Sequence, residues 1–284
     1  MQQLELAPAS DWCQRWLPGR RHTWRHRSQG GFNPDQYGVA PLKETDAKQY
    51  VTTRHYSGTY PAASLRYGLY DLTTGQQQLV GAAVLSIPAT AATLTNVFPD
   101  LEPYAESFEL GRFVLDDPVP ANGETWFLAE VLRLAGHEGV RGVVSFADPI
   151  PRTTLDGDTV FLGHRGTIYQ AANAEYLGRA TPRTLTLLPD ATVLSPRALS
   201  KIRNQERGRR YAERLLIAHG APPRRIGQSS ADWLAEALRA ARVRRLRHPG
   251  NYRYAFRAGP PAARRRVHIP LKPLPYPKDQ RTAA

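Results

Sequence analysis

The sequence predicts an α/β protein: a mixed sheet flanked by helices, with a basic helical insertion before the last strand. Three observations predict it. Residues 141–179 read as strand, loop, helix. From Arg66 the elements follow the order β-β-β-α-β-α-β, with too few crossovers for a doubly wound nucleotide fold, and no G-x-G-x-x-G or G-K-[ST] loop occurs. Third, the charge is unevenly placed. Residues 40–180 hold 10 Lys and Arg against 16 Asp and Glu, whereas residues 196–248 hold 14 against 4 and residues 249–284 hold 8 against 1.

In chain order, residues 1–38 read as an irregular arm in which Trp16 and Trp24 pack on the body, the alternative being contact with nucleic acid through arginine and stacking. A short helix is predicted over 39–51. It is followed by T-T-R-H-Y-S-G-T-Y-P, whose Ser57-Gly58 and Tyr60-Pro61 are turn signals. A lone histidine there is usually structural, yet a loop is also how a general base or metal ligand is presented. Arg66–Asp71 and Leu79–Ile87 form a hairpin around Thr73-Thr74-Gly75. Residues 88–107 are a loop, and Phe108–Leu115 is a strand.

A helix over 124–135 carries Phe127, Val131 and Leu134 on one face. Asn122 and Gly123 precede it, and a helix N-terminus attracts anions through its free N–H groups and dipole. Glu124 in the first turn argues against one. Val143, Val144 and Phe146 mark a buried strand that Asp148-Pro149 ends. Residues 151–163 have loop composition. Thr167 then caps a helix running past Ile168, Ala171, Ala172 and Tyr176 to Gly178. Asp148 therefore stands at the carboxyl end of a strand and Tyr169 in the first turn of the next helix. Ligands bind at such strand ends, although a turn aspartate and a packed tyrosine explain both residues equally well.

Thr184–Leu188 and Thr192–Leu194 are short strands. Ser195-Pro196 starts a helix reaching His219 that carries Arg197, Lys201, Arg203, Arg207, Arg209 and Arg210. A second helix starts at Ser230 and ends in R-V-R-R-L-R-H. Residues 251–258 form the final strand, and the tail from Gly259 is extended and partly disordered. The basic third predicts a polyanionic partner, most simply nucleic acid. The single cysteine, Cys13, excludes a disulfide framework and fits a reducing, cytoplasmic compartment. No signal peptide or membrane span is predicted.

R-H-Y-S (54–57), E-L-G-R (109–112), V-S-F-A-D (144–148) and H-x-G-T-I-Y-Q-A-x-N-x-x-Y-L-G (164–178) resemble, in order, the blocks of the phage Mom DNA-modification family. That family belongs to the GNAT acyltransferase superfamily. The resemblance covers roughly residues 35–195 and divides the chain into an arm (1–38), a GNAT-like catalytic core (39–195), a basic two-helix segment (196–248) and a final strand with a Pro/Arg-rich tail (249–284). It implies a sheet whose 143–147 strand splays from its neighbour. It also implies double-stranded DNA as partner, in a bacterial cell or phage-infected host. The reaction it implies is conversion of adenine to a carbamoylmethyl form on its exocyclic amine, which shields DNA from restriction.

The family's implicated residues fall on His55, Tyr56, Asp148 and Tyr169. Acetyl-CoA or another acyl-CoA is the implied donor, resting on Asn122, Gly123 and Thr125, and iron the implied metal, on His55 and Asp148; otherwise one of those two is the base that activates the adenine amine. Tyr169 would protonate a leaving thiolate, and Tyr56, Tyr60 or Tyr67 would stack on a flipped base. Arg112 reads as structural, paired with Glu109 or a nearby carboxylate, ahead of a catalytic role. The sequence departs from the GNAT pattern in lacking the Q/R-x-x-G-x-G/A phosphate loop, with P-A-N-G-E-T in its place, and in inserting residues 149–163. A GNAT-type acyltransferase on another amine and a non-catalytic DNA-binding protein are the two other readings. The sequence leaves a homodimer open.

Overall fold

The computed structural model describes residues 12–19 and 21–278. In chain order the elements are β1 (Trp12–Leu17), β2 (Arg21–His26), β3 (Tyr37–Pro41), α1 (Glu44–Arg54), β4 (Ala63–Asp71), β5 (Gln78–Ser86), α2 (Ala92–Thr95), β6 (Ser107–Leu115), α3 (Gly123–His137) and β7 (Gly142–Ala147). They continue with β8 (Arg152–Thr153), β9 (Thr159–Phe161), α4 (Thr167–Ala171), β10 (Glu175–Arg179), β11 (Arg183–Leu187), β12 (Val193–Leu194), α5 (Pro196–Arg203), α6 (Arg210–Ala218), α7 (Ser230–Ala240), β13 (Arg244–His248), β14 (Tyr252–Arg257) and α8 (Pro261–Arg266). The described residues form two compact units, each discontinuous along the chain. A sheet unit is built from residues up to 147, 164–179 and 252 onward, and an inserted unit from 148–163 and 180–251.

The sheet unit holds seven strands in the order β10-β14-β7-β6-β5-β4-β3. Every pairing is antiparallel except β6 with β7. That parallel pairing covers only Ser107–Glu109 against Gly142–Val144; beyond it the strands part and β7 continues along β14. This is the splay that the resemblance implies. Alternation assigns the two faces. Ala83, Leu85, Leu110 and Val143 pack with Phe127, Leu128 and Val131 of α3. Ala82, Val84 and Val114 face Ala47, Tyr50 and Val51 of α1.

The inserted unit pairs β12-β11-β13 in one antiparallel sheet and β8-β9 in another. Its helices share a core of Leu188, Leu194, Ala198, Ile202, Leu216 and Trp233. Ser195 and Ser229 cap α5 and α7 by accepting from Ala198 N and Asp232 N.

Several expectations change. The arm is not irregular: β1 and β2 pair across a Pro18-Gly19 turn with Gly19 at φ +80°. Trp16's side chain lies outside the described ones. The predicted 39–51 helix is strand β3 followed by α1, because the edge of the sheet takes 37–41. The helix at Thr167 is capped by Gly166 at φ +76° and stops at Ala171. Tyr176 instead pairs with Tyr254 in the sheet, so tertiary pairing overrides the helical spacing. The long basic helix is broken between α5 and α6, where Gln205 and Gly208 take φ +54° and +84°. Arginines 244, 245 and 247 are strand residues rather than a helix end. The tail from Gly259 forms α8, and further along Tyr276 donates to Ala174 O at 2.8 Å.

Candidate functional site

In the sheet unit, the motif residues meet where β6 and β7 part. A bulge in β6 explains how. Leu85 pairs with Leu110 and Val84 with Arg112, so Gly111 is the extra residue. Residues three apart on a regular strand face opposite ways; the bulge turns Glu109 and Arg112 to the same face, the one carrying α1. Glycine is favoured there, since a Cβ at 111 would strike Ser86 Oγ and crowd Ser86 Cβ at 3.0 Å.

Arg112 donates from Nε to Thr59 O at 2.9 Å and from Nη2 to Thr59 Oγ1 at 2.7 Å, which ties it to the loop after α1. Burial lowers its pKa, and Tyr56, Glu109 and Tyr169 oppose that. Burial pushes the Glu109 carboxyl above the usual carboxylate range, while Arg112 pulls it back. Arg112 thus pairs electrostatically with Glu109 and also links three motif blocks.

His55 ends α1 and is buried. The backbone N–H of Ser57 donates to its Nδ1 at 3.2 Å, and the Ser57 hydroxyl lies 2.9 Å from the same atom. A backbone N–H can only donate, so Nδ1 accepts and the neutral ring carries its proton on Nε2. Burial lowers the His55 pKa well below the histidine range, and Arg112 and His164 lower it further. The ring stacks near Tyr56, with centroids 4.2 Å apart, and Tyr56 meets His164 edge-on at 6.1 Å. The preceding Arg54 binds Asp116 at 2.6 Å and lies over Tyr50.

Tyr169 is buried in the first turn of α4. Burial raises its pKa, with Glu109 adding to the rise and the Ser145 hydroxyl and Arg112 opposing it. Its ring lies 5.5 Å from that of Tyr254, to whose hydroxyl Gln170 donates at 3.0 Å. A Cβ on Gly166 would come within 2.7 Å of both tyrosine rings. Tyr67, a candidate for stacking on a base, is 1% exposed and donates to Glu138 at 2.8 Å, so it belongs to the core.

Asp148 belongs to the inserted unit, where the structure surrounds it with partners. Its Oδ2 accepts from Arg152, and its Oδ1 from Ile150 N at 3.1 Å and from His248 Nε2 at 2.9 Å. His248 is wholly buried, and Gly250 N donates to its Nδ1 at 3.0 Å, which fixes the proton on Nε2. Burial pushes the Asp148 carboxyl up, but Arg152, His248 and the Ile150 N–H outweigh it and hold the group below its ordinary range. His248 carried no signal in R-V-R-R-L-R-H, because its partner is 100 residues away. Ser145 and His164 sit in recognisable motif blocks but gave no sign of which residues they meet, whereas Glu109 was expected beside Arg112 and lies there.

The implied groups fit unequally. An iron ligand bound through Nε2 would donate from Nδ1, whereas Nδ1 of His55 accepts. Asp148 already holds three donors. Among the described residues no group of three or more His, Cys, Asp and Glu forms a metal site. His55 and Asp148 as held do not fit iron.

The acyl-CoA loop fits better. Asn122 adopts a left-handed conformation at the start of α3, and its side chain makes no cap hydrogen bond. Gly123 has no room for a Cβ against Val119 and Phe32. The charge of Glu124 is neutralised by an ion pair with the fully buried Arg15. Asn122 and Thr125 line a groove of about 840 Å³ with Trp126, Arg133 and Arg264.

On the inserted unit, the α5–α6 cations divide. Arg197 is bound to Glu206 at 2.5 Å and Arg209 to Glu213 at 3.2 Å, while Arg203, Arg207 and Arg210 are exposed and Lys201 is half-buried.

Residues 36–278 match the model of the Mom protein family. No curated protein matches the chain. A tandem GNAT protein from the clavulanic acid biosynthesis pathway, solved without AcCoA, aligns over 79% of this chain and 99% of its own at 10% identity and a TM-score of 0.40, a likeness too slight to carry an argument.

Proposed function

Because the chain belongs to the Mom protein family, we propose that it is a DNA-modifying enzyme that moves the acyl group of an acyl-CoA onto the exocyclic amine of adenine, the C–N bond forming at the thioester carbon as the C–S bond breaks and CoA leaves as the thiol, in the cytoplasm of a bacterial or phage-infected cell, and so shields DNA from restriction. One observation carries the reading: His55 and Tyr56 of one motif, Glu109 and Arg112 of a second and Tyr169 of a third share one polar cluster that is largely withdrawn from solvent.

Bound acyl-CoA would supply an activated acyl group and a thiolate leaving group, held by Asn122, Gly123 and Thr125. Tyr169, kept protonated by its surroundings, is the acid for that thiolate. Glu109, with its raised pKa, is the group in the cluster suited to accept a proton from the amine. His55 acts as a hydrogen-bond donor through Nε2–H, and Arg112 holds the cluster's charges together. Asp148, with three donors on it, is a poor base and serves as an anchor at the end of β7. The target base must leave the duplex stack, at a cost of about a few kcal/mol.

The test is nucleoside mass spectrometry on DNA from cells expressing the chain, beside a Tyr169→Phe control. A new adenine-derived mass that the control lacks supports the reading and identifies the group. Unchanged nucleosides from cells holding soluble protein, with acyl transfer to a free amine in vitro, would overturn it in favour of a different GNAT substrate.

A further inference from the structure

We propose that the open face of the β12-β11-β13 sheet is a docking surface for the phosphate backbone of duplex DNA, with Arg245 and Arg247 as its phosphate contacts. The inference rests on DNA being the substrate and adds the surface that holds it.

The register decides which side chains share that face. Thr184 pairs with Arg247 and Thr186 with Arg245. Alternation places these four on one side, and Leu185, Leu187, Leu246 and His248 on the other. The second side is the interior one: Leu185 and Leu187 are buried, His248 binds Asp148, and Arg244 donates to Thr153 O at 2.5 Å. On the first side, Arg245, Arg247 and Thr184 are exposed and Thr186 is half-buried. Leu188, Leu194 and Val243 also fall on this side and enter the helical core. The helices therefore cover one end of the face and leave the arginine end open.

Charge separates this face from several of the unit's cations, although Arg203, Arg207 and Arg210 are exposed as well. Arg197, Arg209 and Arg225 spend their charge on Glu206, Glu213 and Glu236. Among the described residues no carboxylate pairs with Arg245 or Arg247, and their cross-strand neighbours are threonines, which can donate to phosphate as well. Two arginines at alternate strand positions stand about 7 Å apart, a row of cations suited to tracking a sugar-phosphate strand. Such contacts give affinity and position without reading sequence.

The experiment measures binding of the full chain to a fluorescent duplex across a salt series, for wild type, Arg245→Gln/Arg247→Gln, and Arg197→Gln. Each lost phosphate contact removes about 0.9 from the slope of log K against log salt. The double variant should lose roughly 2 from that slope and about tenfold in affinity at low salt, equally for unrelated duplex sequences. Arg197→Gln should leave both nearly unchanged. Unaltered melting temperature in the double variant excludes misfolding. Wild-type affinity and slope in the double variant would overturn the surface and leave base modification standing, since that is read separately by nucleoside mass. Wild-type binding to single-stranded RNA but not to duplex DNA would overturn the surface and the DNA reading together.

Discussion

His248 donates its Nε2–H to the Asp148 carboxylate at 2.9 Å, in a buried pair that ties Asp148 to the end of β13 within the inserted unit. The bond adds to Arg152 and the Ile150 N–H in holding the carboxyl below its ordinary range, against the upward push of burial. A depressed carboxyl contributes stability that is complete above its unfolded pKa and is lost as pH falls through the folded one. His248→Ala should therefore cost about 1–3 kcal/mol at pH 7. That deficit should shrink as the medium is acidified below the carboxylate range. Urea unfolding of wild type and variant from pH 7 downward measures it, and a deficit that is constant with pH would refute the coupling.

The reading of His55 as a donor predicts an uneven mutant pair. Glutamine carries an N–H near the imidazole Nε2 position, whereas alanine carries none. His55→Gln should keep a measurable fraction of DNA modification, and His55→Ala should lose at least about 10²-fold. Equal loss in both would point to a base. The pKa of His55 is depressed, so the folded ring stays neutral while the unfolded one takes up a proton below about 6.5. Stability should accordingly fall as pH drops below that value, and the His55 ring proton should show no NMR titration between about pH 6 and 8.

Much of the fold was legible because hydrophobic runs and turn residues act locally. The hairpin at Arg66–Ile87, the helix after Gly123, the strand ending at Ala147 and the Ser195-Pro196 helix start all carry their own signals. The element order and the splay followed from these and from the resemblance. What was illegible depended on partners distant in sequence. Tyr176 has helical spacing to Ile168 and Ala172, yet β14 draws it into the sheet. R-R-L-R reads as a helix end until β11 pairs with it. The bulge at Gly111 is equally silent, although without it Glu109 and Arg112 would face opposite ways. In the site, the chemistry-bearing residue types stood out, but their protonation did not. The Ser57 N–H on Nδ1 and the three donors on Asp148 argue against the iron pair that the resemblance implied.

Arg15 and Glu124 form an ion pair with side chains 0% and 3% exposed, and Arg15 also donates to Val119 O and Pro120 O at 3.3 and 3.1 Å. The pair fastens β1 to the loop that begins α3. Breaking a buried pair leaves one charge without compensation, at a cost of about 3–5 kcal/mol. Glu124→Gln should therefore destabilise the chain by that order. Replacing both residues, as Arg15→Met with Glu124→Leu, should cost less than the single change. Thermal melts of the three proteins give the comparison, and additive losses would show that the two residues act separately.

Gly111 offers a test of geometry apart from chemistry, because it has no side chain to take part in a reaction. Alanine there would collide with Ser86 Oγ and press on Ser86 Cβ at 3.0 Å. Ser86 Oγ can turn away but its Cβ cannot, so relief moves the bulge by a few tenths of an ångström and displaces Glu109 and Arg112. Gly111→Ala should cost about 1–3 kcal/mol through overpacking and lower DNA modification by more than its loss of folded protein explains. Ser86→Gly removes both clashing atoms, so the Gly111→Ala/Ser86→Gly double variant should recover stability and modification together. A double variant that regains stability but not modification would mean that the face shared by Glu109 and Arg112 is not what the site requires.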